Sequence, residues 1–156
     1  MFEYIVTRRL VATLQQAGLF ESEQYAYLQG RDISQALLDL TLDIKNGFKH
    51  DKFTGMIAVD YEGAFDAVWR NGVLYKLAQL GITGRLYLYV HSFLHDRKTR
   101  SFVNSCTTEW SDTDIGIPQG SVIGPILYLI FTKDISDILD SHVKFADDLY
   151  LSLIHI

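Results

Sequence analysis

Two adjacent carboxylates, Asp147 and Asp148, break a largely apolar stretch running from Val143 to Leu151. Val143-Lys144-Phe145-Ala146 and Leu149-Tyr150-Leu151 are each of strand length, and the acidic residues between them favour turns. The segment therefore reads as a hairpin with both Asp residues at its tip. A second apolar run, Met56-Ile57-Ala58-Val59, is introduced by Gly55 and ends at Asp60. Four apolar residues between turn signals suit a buried strand. As neighbours in one sheet, the three strands place Asp60 and the Asp147–Asp148 pair at a common end. Clustered carboxylates repel one another unless a cation lies between them. Mg²⁺ takes oxygen ligands in octahedral geometry, and two such ions about 3.5–4 Å apart can activate an attacking hydroxyl and stabilise a leaving oxygen. Neighbouring side chains on a strand face opposite ways, so Asp147 is assigned as the stronger ligand and Asp148 as the accessory one. The ordinary alternative is that Asp-Asp is plain turn chemistry and Asp60 a strand end.

The rest of the chain supplies helices and one further hairpin. Residues 3–17 carry Ile5, Leu10, Leu14 and Ala17 at approximate helical spacing, with Gly18 placed to end the helix. Residues 34–46 read as a second helix, with Ser34 as N-cap and Gly47 closing it. Helices are also predicted over 64–80, 84–95 and roughly 121–139. Between the last two, Arg100–Asn104 and Glu109–Ser111 read as strand, turn, strand, and Gly116–Ser121 as a loop. Helices, one strand, helices, a hairpin, a helix and a final hairpin make an α+β arrangement, not an alternating βαβ series.

At 156 residues the chain has room for one domain with a real core. Its 48% hydrophobic and 13% aromatic content belong to globular chains, not disordered ones. Cys106 is the only cysteine, which excludes an internal disulfide framework and argues against a cysteine-based zinc site. His91 and His95 stand four apart without the partner motif of a zinc pair. The N-terminus, interrupted by Glu3, Arg8 and Arg9, is not a signal peptide. The longest apolar run, Ile123–Phe131, contains Gly124 and Pro125 and is too short to span a bilayer. The expectation is a soluble, intracellular chain with no membrane partner. The net charge of −5 runs against the basic balance of a nucleic-acid binder. Part of the excess lies in the Asp residues assigned to metal, while Arg97-Lys98-Thr99-Arg100 stays basic.

Three segments together resemble one family. Val59-Asp60-Tyr61-Glu62-Gly63-Ala64-Phe65-Asp66 is similar to the first catalytic motif of reverse transcriptases. Gly116-Ile117-Pro118-Gln119-Gly120-Ser121-Val122-Ile123-Gly124-Pro125 is similar to their Pro-Gln-Gly motif. Phe145-Ala146-Asp147-Asp148 is similar to their aromatic-x-Asp-Asp motif. The order and spacing resemble the non-LTR retrotransposon branch, the LINE-like and Jockey-like elements. Leu74-Tyr75-Lys76-Leu77, Ser92-Phe93-Leu94 with Asp96-Arg97, and Leu127–Phe131 agree, so the resemblance covers nearly the whole chain.

The resemblance implies a right-hand polymerase palm with part of the fingers, a small antiparallel sheet packed on helices. Residues 1–156 become a partial reverse transcriptase domain, with 1–55 as fingers-side helices. Residues 56–156 become mostly palm, with a fingers insertion around 70–112. The implied activity is RNA-directed DNA polymerisation for a mobile element in a eukaryotic nucleus or cytoplasm, with RNA template, DNA primer and dNTPs as partners. Asp60, Asp147 and Asp148 would hold two Mg²⁺, with Mn²⁺ a substitute, and Tyr61 would add a backbone carbonyl. Phe65 would be the steric gate against a 2′-hydroxyl, and Gln119 and Gly120 would line the nascent base pair. Arg31, Arg97, Lys98 and Arg100 would touch nucleic acid.

Alternatives stand beside these roles. Phe65 also suits a core aromatic, Arg31 a solvated loop charge, and the basic run a solvated face. Residues 23–31 resemble the family's Gln-x-Gly-Phe-Arg-x-Gly-Arg region, yet Ala26 replaces the first Gly and Leu28 the first Arg. The family's upstream triphosphate-gripping motif, its thumb and any endonuclease domain are expected to lie outside this segment. The tail 152–156 continues no recognisable pattern and reads as an accidental end. Two other functions remain: an inert remnant that at most binds nucleic acid, and an RNA-directed RNA polymerase, which a bulky Phe65 argues against.

Overall fold

The computed structural model describes residues 1–20, 22–139 and 141–154; of the unpatterned tail, His155 and Ile156 lie outside the described residues. The architecture is α+β, with five α-helices, a 3-10 helix and small antiparallel sheets among the described residues. The chain divides into two compact units, Met1–Leu10 with Phe65–Phe131, and Val11–Ala64 with Thr132–Ile156. Helix α1 (Phe2–Gln16) contributes to both.

In the first unit, α3 (Arg70–Gln79) packs against α4 (Gly84–Leu94) and α5 (Gly124–Phe131). Val73, Leu77, Val90, Leu94, Ile123 and Leu127 are fully buried. Each large side chain so buried stabilises the fold by about 1.5–3 kcal/mol before entropy is counted. Glu3 of α1 caps α5, its carboxylate accepting from the Val122 and Ile123 amides at 2.8 and 3.1 Å. The expected 100–111 hairpin is two nested ladders. β2 (Lys98–Thr99) pairs with β5 (Ser111–Asp112), and β3 (Phe102–Val103) pairs with β4 (Cys106–Thr107). Asn104 and Ser105, both at positive φ (49° and 64°), form the two-residue turn.

The second unit holds α2 (Ile33–Lys49), β1 (Thr54–Val59), the 3-10 helix (Lys133–Ile138), β6 (His142–Phe145) and β7 (Asp148–Ile154). The sheet order is β1-β7-β6, all antiparallel, and α2 packs against each of the three strands. Gly18, at φ 65°, ends α1 as expected: its amide bonds to Gln15 and the Leu19 amide to Leu14, both at 3.0 Å.

Five expectations need correction. The N-cap of α2 is Asp32, not Ser34: its carboxylate accepts from Ser34 and Gln35 amides, and the Gln35 side chain returns a bond to the Asp32 amide. Gly47 does not close that helix but lies buried inside it. The helix expected over 64–80 starts only at Arg70, because residues 62–67 are turns and the Phe65 and Val68 carbonyls accept from the Ile117 and Gly116 amides instead. The helix expected over 121–139 ends at Phe131 and resumes as the 3-10 helix. Finally, β1 is not a buried strand. It is an edge strand whose consecutive residues Met56 and Ile57, on opposite faces, stay 53% and 46% exposed.

Candidate active site

In the second unit, the strand register decides where the carboxylates stand. Val59 pairs with Leu149 across β1 and β7, and Phe145 pairs with Asp148 across β6 and β7. One position beyond Val59, Asp60 continues the first register opposite Asp148. Residues directly opposite in an antiparallel pair share a face. The two-residue turn of the hairpin is therefore Ala146-Asp147, with Asp148 already the first residue of β7. Asp60 and Asp148 are exposed and Asp147 is half-buried. Ala146 holds φ at 59°, a left-handed conformation that costs a non-glycine residue about 1–2 kcal/mol.

All three Asp residues offer hard oxygen donors, the chemistry a divalent cation such as Mg²⁺ takes. The register sets two of them opposite each other and the third on the adjoining turn. Among the described residues, no three His, Cys, Asp or Glu side chains converge closely enough to hold a metal ion. Burial raises the Tyr61 phenol above its ordinary value. Burial, and then the negative charge of Asp147, raise the Tyr27 phenol as well. Arg31 is not simply solvated: it is half-buried, and its Nη1 donates to the carbonyls of Ser22 (3.2 Å) and Gln24 (2.6 Å).

The first unit carries the remaining candidates. The half-buried Phe65 ring stacks on Tyr128, 4.7 Å between centroids at 23°. Gln119 Nε2 donates to both carboxylate oxygens of Asp66 at 3.2 Å. Gly120 sits at φ 82°. Gly116 sits at φ 81°, and a Cβ there would lie 2.6 Å from the Asp66 carbonyl oxygen, so only glycine fits. A cavity of about 540 Å³ is lined by Asp66, Arg70, Arg97, Thr99, Gly116, Pro118 and Gln119, among others. Arg97 and Gln119 thus share one cavity, which Lys98 and Arg100 do not line. The basic run is engaged within the protein: Arg97 lies over the Phe93 ring at 5.3 Å, Lys98 faces Asp112 at 3.5 Å, and Arg100 lies over Trp110 at 4.5 Å.

Two residues of this region escaped the sequence reading. Asp66 lies within the first motif, and its hold on Gln119 needed the fold to be seen. Arg70 is 5% exposed and donates to three carbonyls, Nε to Gly116 and Nη2 to Ile115 at 2.7 Å each, and Nη1 to Thr113. Burial, then the like charge of Arg97, lower its pKa from the ordinary value, against Asp114. The one available signal was a basic residue at a helix N-terminus, where the macrodipole disfavours it.

This arrangement of carboxylates on a hairpin end, with a separate glycine-rich loop presenting a glutamine, accompanies a family match over almost the whole chain. The model of the reverse transcriptase (RNA-dependent DNA polymerase) family matches residues 2–154, and the chain belongs to that family. It is 28% identical over 135 residues to the probable RNA-directed DNA polymerase from transposon BS of Drosophila melanogaster, covering 86% of this chain and 15% of that protein. It is likewise 28% identical over 134 residues to the RNA-directed DNA polymerase from mobile element jockey of Drosophila funebris, covering 86% of this chain and 14% of that protein. The resemblance to Jockey-like elements drawn from the motifs is borne out by these relatives. The chain spans only about 15% of their length. Among solved structures, a chain of a partial Cas6-RT-Cas1--Cas2 complex is similar, at 23% identity and a TM-score of 0.38, covering 82% of this chain and 22% of that one. No helix among the described residues is long and apolar enough to cross a membrane.

Proposed function

We propose that this chain is the palm, with part of the fingers, of a mobile-element RNA-directed DNA polymerase that extends a DNA primer on an RNA template using dNTPs. The observation that carries the reading is the register, with Asp60 following β1, Asp148 opening β7, and Asp147 on the turn between β6 and β7. Asp60, Asp147 and Asp148 would hold two Mg²⁺ ions, or Mn²⁺ in their place, with the Tyr61 carbonyl as a further oxygen. Bound there, the metal would supply a lowered pKa at the primer hydroxyl and charge stabilisation at the leaving pyrophosphate.

The chain's own residues would select and orient. Phe65, backed by Tyr128, would present a bulky ring to the sugar and disfavour ribonucleotides. Gln119, held by Asp66, and Gly120 would face the nascent base pair. Of the basic candidates, Arg97 fits best, because it lines the same cavity as Gln119. Lys98 and Arg100 would contribute to backbone contact from the β2–β5 region, and Arg31 chiefly ties its loop. Residues 1–55 would be fingers-side, and 56–156 mostly palm with a fingers insertion around 70–112.

The test is primer extension on an RNA template, with Mg²⁺ and dNTPs, by a polymerase carrying residues 1–156 in natural sequence context. Extension is expected, with a steep loss for Asp147→Asn; an unchanged rate would sink the assignment. A second reading, nucleic-acid binding without catalysis, is favoured by the absence of a three-carboxylate cluster among the described residues. Mn²⁺ titration of the 156-residue chain separates the two. Binding that weakens in Asp147→Asn supports the catalytic reading, and no binding supports the other.

A further inference from the structure

The hairpin that carries Asp147 and Asp148 is not held by its own strands alone. Residues 23–25 run beside β6 as a short parallel bridge at Gln24 and Lys144. The Tyr25 amide donates to the Lys144 carbonyl, and the Lys144 amide to the Glu23 carbonyl, each at 2.9 Å. From this bridge the Gln24 side chain reaches the turn. Its Oε1 accepts from the Ala146 amide at 3.3 Å and from the Ala26 amide at 2.9 Å. Gln24 is 3% exposed, so these bonds form away from water, where a backbone amide left without an acceptor is costly. Ala146 is also the residue at φ 59°, a conformation that persists only where its surroundings hold it.

We infer that Gln24 is a positioning residue for the catalytic turn: its Oε1 fixes the Ala146 amide and so sets the direction in which Asp147 presents its carboxylate. This deepens the polymerase reading and rests on it. Gln24 touches neither substrate nor metal and acts through Ala146. Among the described residues its Nε2 has no hydrogen-bond partner, whereas its Oε1 accepts two amides. The Arg31 guanidinium, donating to the Gln24 carbonyl, steadies the bridge from the other side.

The assignment predicts a difference between two near-isosteric variants of the 156-residue chain. Gln24→Met removes the acceptor, and Gln24→Glu keeps one at the same reach. Mn²⁺ affinity is expected to fall by about ten-fold in Q24M, the usual scale for losing an outer partner of a metal ligand. Q24E, which keeps an acceptor at the cost of a buried charge, should lose clearly less than Q24M. In parallel, amide hydrogen exchange at Ala146, slow in the parent, should speed up in Q24M and not in Q24E, with circular dichroism unchanged in both. Equal Mn²⁺ affinity in Q24M and the parent would overturn the inference, as would equal losses in Q24M and Q24E. An unprotected Ala146 amide in the parent would overturn it without any variant, which covers the case of Q24M failing to fold. Absence of Mn²⁺ binding in the parent, with Ala146 exchange still dependent on the acceptor, would count against the polymerase reading and leave the hold of Gln24 on the turn standing.

Discussion

Arg70 opens α3 as a buried cation, and three carbonyls of the 113–116 segment surround its guanidinium. It clamps the stretch that leads into Gln119. Removing the donor while leaving the carbonyls buried has a cost larger than the bonds were worth. Arg70→Met is expected to destabilise the chain by about 2–4 kcal/mol in urea unfolding. Arg70→Lys should recover only part, because one ammonium cannot serve three carbonyls held in a planar fork. Beyond its place at a helix start, the sequence carries no mark of this residue, since its partners are backbone groups without a side-chain signature. Asp60, Asp147 and Asp148 were legible for the opposite reason: each interrupts or ends an apolar run, and a charge there needs a purpose. Gln24 lay between these cases, visible as part of a motif but with its partner far along the chain.

At the level of elements, the capping of α2 gives the plainest test. Asp32 accepts from the Ser34 amide at 2.7 Å and the Gln35 amide at 3.2 Å, so Asp32→Ala should cost about 1 kcal/mol in thermal or chemical unfolding. Ser34→Ala should cost much less, since the cap is not there. The Asp-x-x-Gln pattern of that cap is present in the sequence, two residues ahead of the start expected at Ser34. The missing first turns of the expected 64–80 helix were not legible. Its residues suit a helix, yet the Phe65 and Val68 carbonyls are taken by amides of the 116–117 loop, a competition no local pattern reveals. The loop before α2 is tied to that helix by the Tyr25 hydroxyl, which donates to Asp39. Burial first, and this bond second, raise the Tyr25 phenol from its ordinary value of 10.0 to about 12. The folded state thus favours the protonated phenol. Its contribution to stability is complete below pH 10 and is lost as pH rises towards about 12. Ultraviolet absorbance titration should show one late tyrosine near that upper value, and Asp39→Asn should bring it back towards 10.0.

For the whole molecule, the apolar surface is uneven. On α2, Ile33, Leu37, Leu38, Leu42 and Phe48 are each more than half exposed, and Phe53 and Met56 continue the run towards β1. A surface of that kind associates in water. The 156-residue chain is expected to form concentration-dependent oligomers in sedimentation velocity. The double substitution Leu37→Lys and Leu42→Lys should shift it towards monomer without lowering its unfolding midpoint. The α+β class was legible from the order of periodic segments; the division into two units was not, because it depends on which segments meet across long separations. That division has a consequence for how the chain is made. The stretch 65–131, the bulk of the first unit, is continuous, whereas the second unit is assembled from both sides of it. A ribosome delivers β1 and Asp60 early and β7 late, so the early strand waits unpaired while the intervening helices emerge and compact. The end of the sheet that carries Asp60 and Asp148 therefore forms only after residues 65–131 have emerged. A premature stop after residue 131 and before residue 148 leaves the first unit whole and β1 without the strand it pairs with.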